Sequence, residues 1–328
     1  MNRRNTLLVL LLSGAAPLMA FAQQPGKVWR IGYLSLGTRQ NSVDNGRTAA
    51  LLSGMREQGY VEGRNFVLEV RFADNDTGRL DGLAAELVRL KVDVILAIGS
   101  AVSRVAQFAT ATIPIVVVAT PDPVHDGFAV TLARPGGNMT GMSVGTSETV
   151  QKCVELLRTM VPKLSRLAVM GNPSDAANSP MLLSVQLLMQ RLGGMVLPIS
   201  ARSTEDIESG FATMARENAG AVIILSDTYL ILRRQLIAGF ALKYRLPSIG
   251  MNSGFTETVT LLTYATDTND NARRAATFVD KILKGAKPGD LPFELPTRYY
   301  LTINRSTAKA LGLVIPQELM LRADRVVE

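Results

Sequence analysis

The sequence predicts an α/β protein built as two doubly wound parallel-sheet lobes joined by a hinge, and three observations carry that prediction. Short apolar runs bounded by turn residues alternate with amphipathic helical segments along nearly the whole chain. The alternation breaks once, in a stretch with Pro121, Pro123, Pro135, Gly136 and Gly137, and then restarts as a second series. The 328 residues also exceed what one core usually holds.

The elements follow in order. Residues 30–35 read as a strand, 44–58 as a helix closed by Gly59, and 66–72 as a half-buried strand. Residues 80–89 place Leu80, Leu83, Ala84, Leu87 and Val88 on one helical face. Two continuous apolar runs, 92–98 and 115–119, flank a helix at 101–109 and suit strands covered on both faces. A strand at 140–144 leaves the first lobe.

The second series reads helix 149–160, strand 167–170, helix 180–192, strand 196–200, helix 204–217, strand 221–225, helix 229–244 and strand 248–251. Residues 260–265 form a further strand, after which Asp267 can cap a helix over 269–285. A strand at 299–304 and a helix at 306–311 follow Pro288, Pro292 and Pro296. A lobe that is entered, left and revisited needs several crossovers, which form a hinge. The expected division is 23–142 with 263–290 in the first lobe, and 143–262 with 291–328 in the second.

The first 22 residues read as a secretory signal peptide. Arg3 and Arg4 precede a leucine-rich run, and Ala20-Phe21-Ala22 before Gln23 is a small-x-small cleavage site. The apolar run is too short to span a bilayer and no Cys follows to take a lipid, so a mature protein free in the periplasm is expected. Arg3-Arg4 fits the twin-arginine pattern loosely, which favours Sec export.

Composition excludes several classes. With 47% hydrophobic and 19% charged residues the chain has enough apolar material for packed cores and is not a disordered protein. Of its net charge of +7, two units sit on Arg3 and Arg4, and the remaining basic residues are scattered without interleaved aromatics, unlike a nucleic-acid surface. The dense pair Arg233-Arg234 reads as a solvated helix face. Cys153 is the sole cysteine, so no internal disulfide forms, and its spacing with Val150, Val154 and Leu157 marks a buried helix position.

Catalytic inventories fail as well. His125 is the sole histidine, which excludes a metal site of several imidazoles and leaves a Ser-His-Asp triad only one imidazole, in an irregular loop. No Lys-Ser/Thr follows Gly136-Gly137-Asn138 in phosphate-loop spacing, and no Gly-x-Gly-x-x-Gly follows the first strand. In Gly250-Met-Asn-Ser-Gly254 the serine stands one position too late for a nucleophile elbow. A non-enzymatic protein without cofactor or metal is expected.

Open parallel sheets bind ligands beyond the carboxyl ends of their strands. Those positions are Ser35, Gly37, Thr38, Gly99, Ser100, Ala101, Thr120 and Asp122 in the first lobe, and Asn172, Ser174, Asp227, Thr228, Tyr229 and Asn252 in the second. Most are neutral hydrogen-bonding residues, which suits a small polar molecule enclosed between lobes. Asp227 can hold a ligand amine or cap the helix that follows it. Ser100 and Ala101 open a helix whose free N–H groups suit a carboxylate, or form an ordinary cap. An amine on one lobe and a carboxylate on the other describe an amino acid. Tyr229, Tyr264 and Phe255 can pack on a ligand side chain or belong to the core, and Asp122 between two prolines reads as a turn brace.

Longer motifs add a resemblance. Arg30-Ile-Gly-Tyr-Leu-Ser, Gly59-Tyr-Val-Glu-Gly-Arg-Asn, Leu83-Ala-Ala-Glu-Leu-Val-Arg-Leu-Lys-Val-Asp-Val-Ile and Asp122-Pro-Val resemble the ABC-transporter substrate-binding family that includes tryptophan/tyrosine-uptake proteins. So do Leu132-Ala-Arg-Pro-Gly-Gly-Asn-Met-Thr-Gly, Asp280-Lys-Ile-Leu-Lys-Gly-Ala-Lys-Pro and the closing Ala308-Lys-Ala-Leu-Gly-Leu-Val-Ile-Pro. The resemblance implies a type I periplasmic-binding-protein fold with three crossovers, which closes on a small-molecule ligand and presents it to an ABC permease and its ATPase in the inner membrane. It places Ser35, Gly99-Ser100-Ala101 and Asp227 in the ligand cleft. Members that carry aromatic amino acids often have Asp-Asn-Thr where this chain has Asp227-Thr228-Tyr229. A monomer that binds no nucleic acid is expected. The alternative is an exported ligand sensor that docks on a receptor kinase and transports nothing.

Overall fold

Alternate residues of each central strand face opposite sides and bury into separate cores, and this organises both lobes. The computed structural model describes residues 27–44, 46–144, 147–175 and 178–328; the signal-peptide reading of residues 1–22 lies outside them. The first lobe comprises β1 (Trp29–Ser35), α1 (Arg39–Asp44), α2 (Arg47–Glu57), β2 (Phe66–Phe72), α3 (Leu80–Arg89), β3 (Val94–Ile98), α4 (Ser100–Ala109), β4 (Ile115–Thr120) and β5 (Met139–Ser143). Its parallel sheet has the order β2-β1-β3-β4-β5. Ile31, Tyr33, Val94 and Leu96 pack on the α2 side, whereas Leu34, Ile95 and Ala97 pack with Leu87 and Val102 on the α3 and α4 side. The sheet is thereby wound on both faces.

The second lobe follows with α5 (Ser147–Met160), β6 (Arg166–Gly171), α6 (Asn178–Arg191), β7 (Met195–Ser200), α7 (Thr204–Arg216), β8 (Ala221–Ile224), α8 (Thr228–Leu232), α9 (Arg234–Lys243), β9 (Ser248–Gly250) and β10 (Leu262–Ala265). Helix α10 (Thr268–Leu283) returns to the first lobe, where Ala272, Ala275 and Phe278 join its core. The chain ends in β11 (Tyr300–Asn304), α11 (Arg305–Leu311), α12 (Gln317–Arg322) and β12 (Arg325–Val327) on the second lobe. Its sheet has the order β12-β11-β10-β9-β8-β6-β7, with β10 and β11 antiparallel. That pair is a consequence of the crossovers: β10 leaves toward the first lobe and β11 re-enters from it, so the two strands meet at the same end. Cys153 is fully buried on α5, and burial pushes its thiol pKa up.

The structure corrects several boundaries. The helix expected over 44–58 starts at Arg47, after Gly46 with a φ of 68°, and a short helix not read from the sequence, α1, precedes it. The helix expected over 229–244 divides at Arg233. Strand β10 belongs to the second sheet, so residues 263–265 lie in the second lobe and the first lobe resumes at α10. Conversely, Phe293 is buried in the first-lobe core and the Glu294 N–H donates to Gly141 O at 2.9 Å, which ties 293–294 to the first lobe. Helix α12 and strand β12 are too short to carry a periodic signal.

Three crossovers join the lobes: β5 to α5, β10 to α10, and α10 to β11. The Tyr299 hydroxyl in the third donates to Val144 O in the first at 2.8 Å. Asp267 caps α10 by accepting from Asn269 N and Asp270 N, and so sets where the second crossover ends.

Candidate functional site

The carboxyl ends of β1, β3 and β4 in the first lobe and of β8 and β9 in the second converge on an interlobe cavity of about 90 Å³. The lobes touch around it. Leu232 of α8 packs against the first-lobe core, and a Cβ placed on Gly99 would stand 2.9 Å from Thr228 Oγ1.

On the first-lobe side, Ser35, Gly37 and Thr38 follow β1, and Gly99 and Ser100 open α4. Ser100 Oγ lies 3.0 Å from Thr120 Oγ1, and the Thr120 hydroxyl donates to Asp126 Oδ2 at 2.6 Å. Thr120 has one proton and gives it to Asp126, so Ser100 donates inward and presents its oxygen to the cavity as an acceptor. Asp126 is 1% exposed and its Oδ1 has no hydrogen-bond partner. Burial raises its pKa above the usual carboxylate range, against the Thr120 hydrogen bond and the nearby Arg104 charge. Ala119 lines the cavity with a φ of 71°, where the β4 pairing with β5 shifts register.

On the second-lobe side, Asp227 is 6% exposed and caps α8 by accepting from Leu230 N at 2.9 Å, while Asn172 Nδ2 donates to its other oxygen at 3.3 Å. Burial raises its pKa; its bonds to Leu230, Asn172, Tyr229 and Asp175 oppose the shift. The capping reading of Asp227 is therefore the one its contacts describe, on a residue that also lines the cavity. Asn252 accepts from Gly254 N at 2.8 Å and faces the cavity beside Thr228.

Other candidates stand elsewhere. Ala101 is exposed on α4 and Thr120 is buried behind Ser100. Asp122 accepts from Val124 N and His125 N at 3.1 and 3.0 Å, which is the turn brace read from the sequence. Asn172 sits behind Asp227, and the Ser174 N–H donates to Asn172 Oδ1 at 3.0 Å. Tyr229 lies under the Arg233 guanidinium, 3.5 Å from the ring centre, and Tyr264 stacks on Tyr299 at 5.4 Å. Phe255 is core.

Sequence reasoning missed Ser42, Arg47, Asp175, Arg234 and Thr268, together with the aliphatic wall of Ile98, Val118, Val144, Ile231 and Leu232. Arg234 corrects the solvated-face reading of Arg233-Arg234: one arginine covers Tyr229 and the other lines the cavity. The usable signal was Gly46, which ends one helix and aims the start of α2 at the cleft. Among the described residues no cluster of His, Cys, Asp or Glu side chains could hold a metal ion, and no helix is long and apolar enough to cross a membrane.

Two wound α/β lobes, three crossovers and a cavity between strand ends define the type I periplasmic-binding-protein class. Within it, the chain belongs to the ABC transporter substrate binding protein family, whose profile matches residues 40–327. It is 24% identical over 262 residues to a tyrosine-binding protein of Clostridioides difficile (strain R20291), covering 80% of this chain and 75% of that one. A conserved domain protein from Vibrio cholerae O1 biovar El Tor superposes with a TM-score of 0.85 at 25% identity, over 92% of this chain and 100% of that one. An ABC domain from Streptococcus pneumonia in complex with L-Trp has the same TM-score and coverage at 22% identity.

Proposed function

We propose that the protein is the exported solute-binding component of an ABC importer, which closes its lobes on an amino acid or small carboxylate and hands it to a membrane permease and its ATPase. It acts by binding, without catalysis, as a monomer in the periplasm. One observation carries this reading: the cavity is lined from both lobes, and Leu232 and Thr228 of the second lobe touch the first. A molecule held there is enclosed only while the lobes are together, so its binding energy sets the closed population. The tyrosine-binding relative and the L-Trp complex support the ligand class.

The residues proposed to contact ligand are Ser35, Gly37, Thr38, Gly99, Ser100, Asp227, Thr228 and Asn252. The test is thermal unfolding against amino acids, small carboxylates, sugars and polyamines. At a ligand concentration 100 times Kd, binding stabilises the folded state by about 2.7 kcal/mol, and small-angle scattering with that ligand should report a smaller radius. A panel that produces no stabilisation overturns the reading.

A further inference from the structure

We propose that the ligand is an aliphatic carboxylate whose acidic group is gripped between Arg47 of the first lobe and Arg234 of the second. This rests on the solute-binding reading above and names the chemistry of the same site. Arg47 is the first residue of α2, set by the break at Gly46, and Arg234 is the first residue of α9, set by the break at Arg233. The two therefore reach the cavity from different lobes. Both also line an adjoining groove of about 500 Å³, so they stand where the cavity meets it.

Neither arginine has a carboxylate partner among the described residues. Some arginines elsewhere do, as Arg71 holds Glu86, Arg273 holds Glu57 and Asp270, and Arg298 holds Asp324; what sets Arg47 and Arg234 apart is that both line the cavity. Asp227 and Asp175 also line the cavity, and Glu257 and Asp267 line the groove. Asp227 accepts from Leu230 N and Asn172, and Asp267 in the groove caps α10. Arg234 gives one N–H to Ile231 O at 3.2 Å and keeps its other donors.

The two guanidinium charges come from separate lobes, so an anion held between them attracts both and favours the closed arrangement. A guanidinium matches a carboxylate in a two-point geometry, which an ammonium does not reproduce. The rest of the wall is Ile98, Val118, Val144, Ile231 and Leu232, with no aromatic ring among the described lining residues. That wall fits an aliphatic body.

The experiment has two arms. In the first, calorimetric titration compares valine, isobutyrate and succinate with valinamide, isobutyramide and succinamide, with benzoate and myo-inositol as aromatic and neutral probes. At least one aliphatic acid should bind, its amide at least tenfold more weakly, and affinity should fall as salt rises. In the second, Arg47→Gln and Arg234→Gln, checked for unchanged melting, should each weaken that acid at least tenfold, and Arg47→Lys should recover only part. Equal binding of acid and amide, unchanged affinity in both variants, or binding of benzoate or myo-inositol alone overturns the clamp while leaving a solute-binding protein. Absence of binding by every probe overturns the clamp, and the solute-binding reading falls with it only if the wider thermal-unfolding panel is also silent.

Discussion

Gly99 and Thr228 meet across the interlobe cleft, so closely that a methyl group on Gly99 would lie 2.9 Å from Thr228 Oγ1. Gly99 also has φ 89° and ψ 165°, a conformation that residues with a side chain rarely adopt. The first constraint exists only while the lobes are together. The second exists whenever the first lobe is folded.

Gly99→Ala should therefore do two separable things. Backbone strain should lower stability by about 1–3 kcal/mol, and the clash should weaken ligand binding at least tenfold by holding the lobes apart. Adding Thr228→Gly removes the clash and leaves the strain. Affinity should then rise above that of Gly99→Ala in titration while the melting temperature stays low; recovery of both would assign the stability loss to the clash and not to backbone strain, and no gain in affinity would show that closure was never obstructed.

Asp227 separates charge from capping. Asp227→Ala deletes the acceptor of the Leu230 N–H and should cost about 1 kcal/mol of stability. Asp227→Asn keeps a good cap without the charge, and should match wild-type melting and hold ligand affinity within about threefold. A large affinity loss in the Asn variant at normal stability would mean that the carboxylate holds a ligand cation.

Much of the fold was legible because its strands are buried on both faces and its helices are amphipathic. Residues 66–72 and 80–89 were read with the bounds that β2 and α3 have. Ser35, Gly99, Ser100, Thr228 and Asn252 were legible as cavity residues because strand ends are fixed by topology once the strands are known. Arg234 was not, since its direction depends on the helix break at Arg233, and Arg233 carries no breaker signal. Tyr264 failed for the opposite reason: an aromatic at a strand end can face either way, and here it stacks on Tyr299. The antiparallel β11 was illegible because strand direction follows from which lobe the chain last visited.

The Tyr299 hydroxyl ties two crossovers together through Val144 O, and Val144 lines the cavity. Tyr299→Phe removes that bond and keeps the ring on Tyr264. A net loss of about 0.5–1.5 kcal/mol is expected for one such hydrogen bond, read as a lower melting temperature. Because the bond joins the hinge, scattering should also show a broader spread of interlobe separations without ligand. An unchanged distribution would assign the bond to stability alone.

Asp126 gives a pH signature whose sign is fixed by burial. Its folded pKa is raised chiefly by desolvation, so the folded protein holds the Asp126 proton to higher pH than the unfolded chain does. Where the folded state binds more protons, stability falls as pH rises, here from the ordinary carboxylate range of about 4 up through the raised value. Asp126→Asn has no such proton to lose and still offers Thr120 an acceptor. The melting temperature of the variant relative to wild type should therefore climb as pH goes from about 4 to 7, and the variant should be the more stable protein at neutral pH. Glu155 and Asp324, whose pKa values are lowered, impose the opposite slope on both proteins and cancel in the difference. A difference that stays flat with pH would mean that Asp126 is ionised in the folded state as readily as in the unfolded chain. The chain of hydroxyls from Ser100 through Thr120 would then end on a charged acceptor throughout the working pH range.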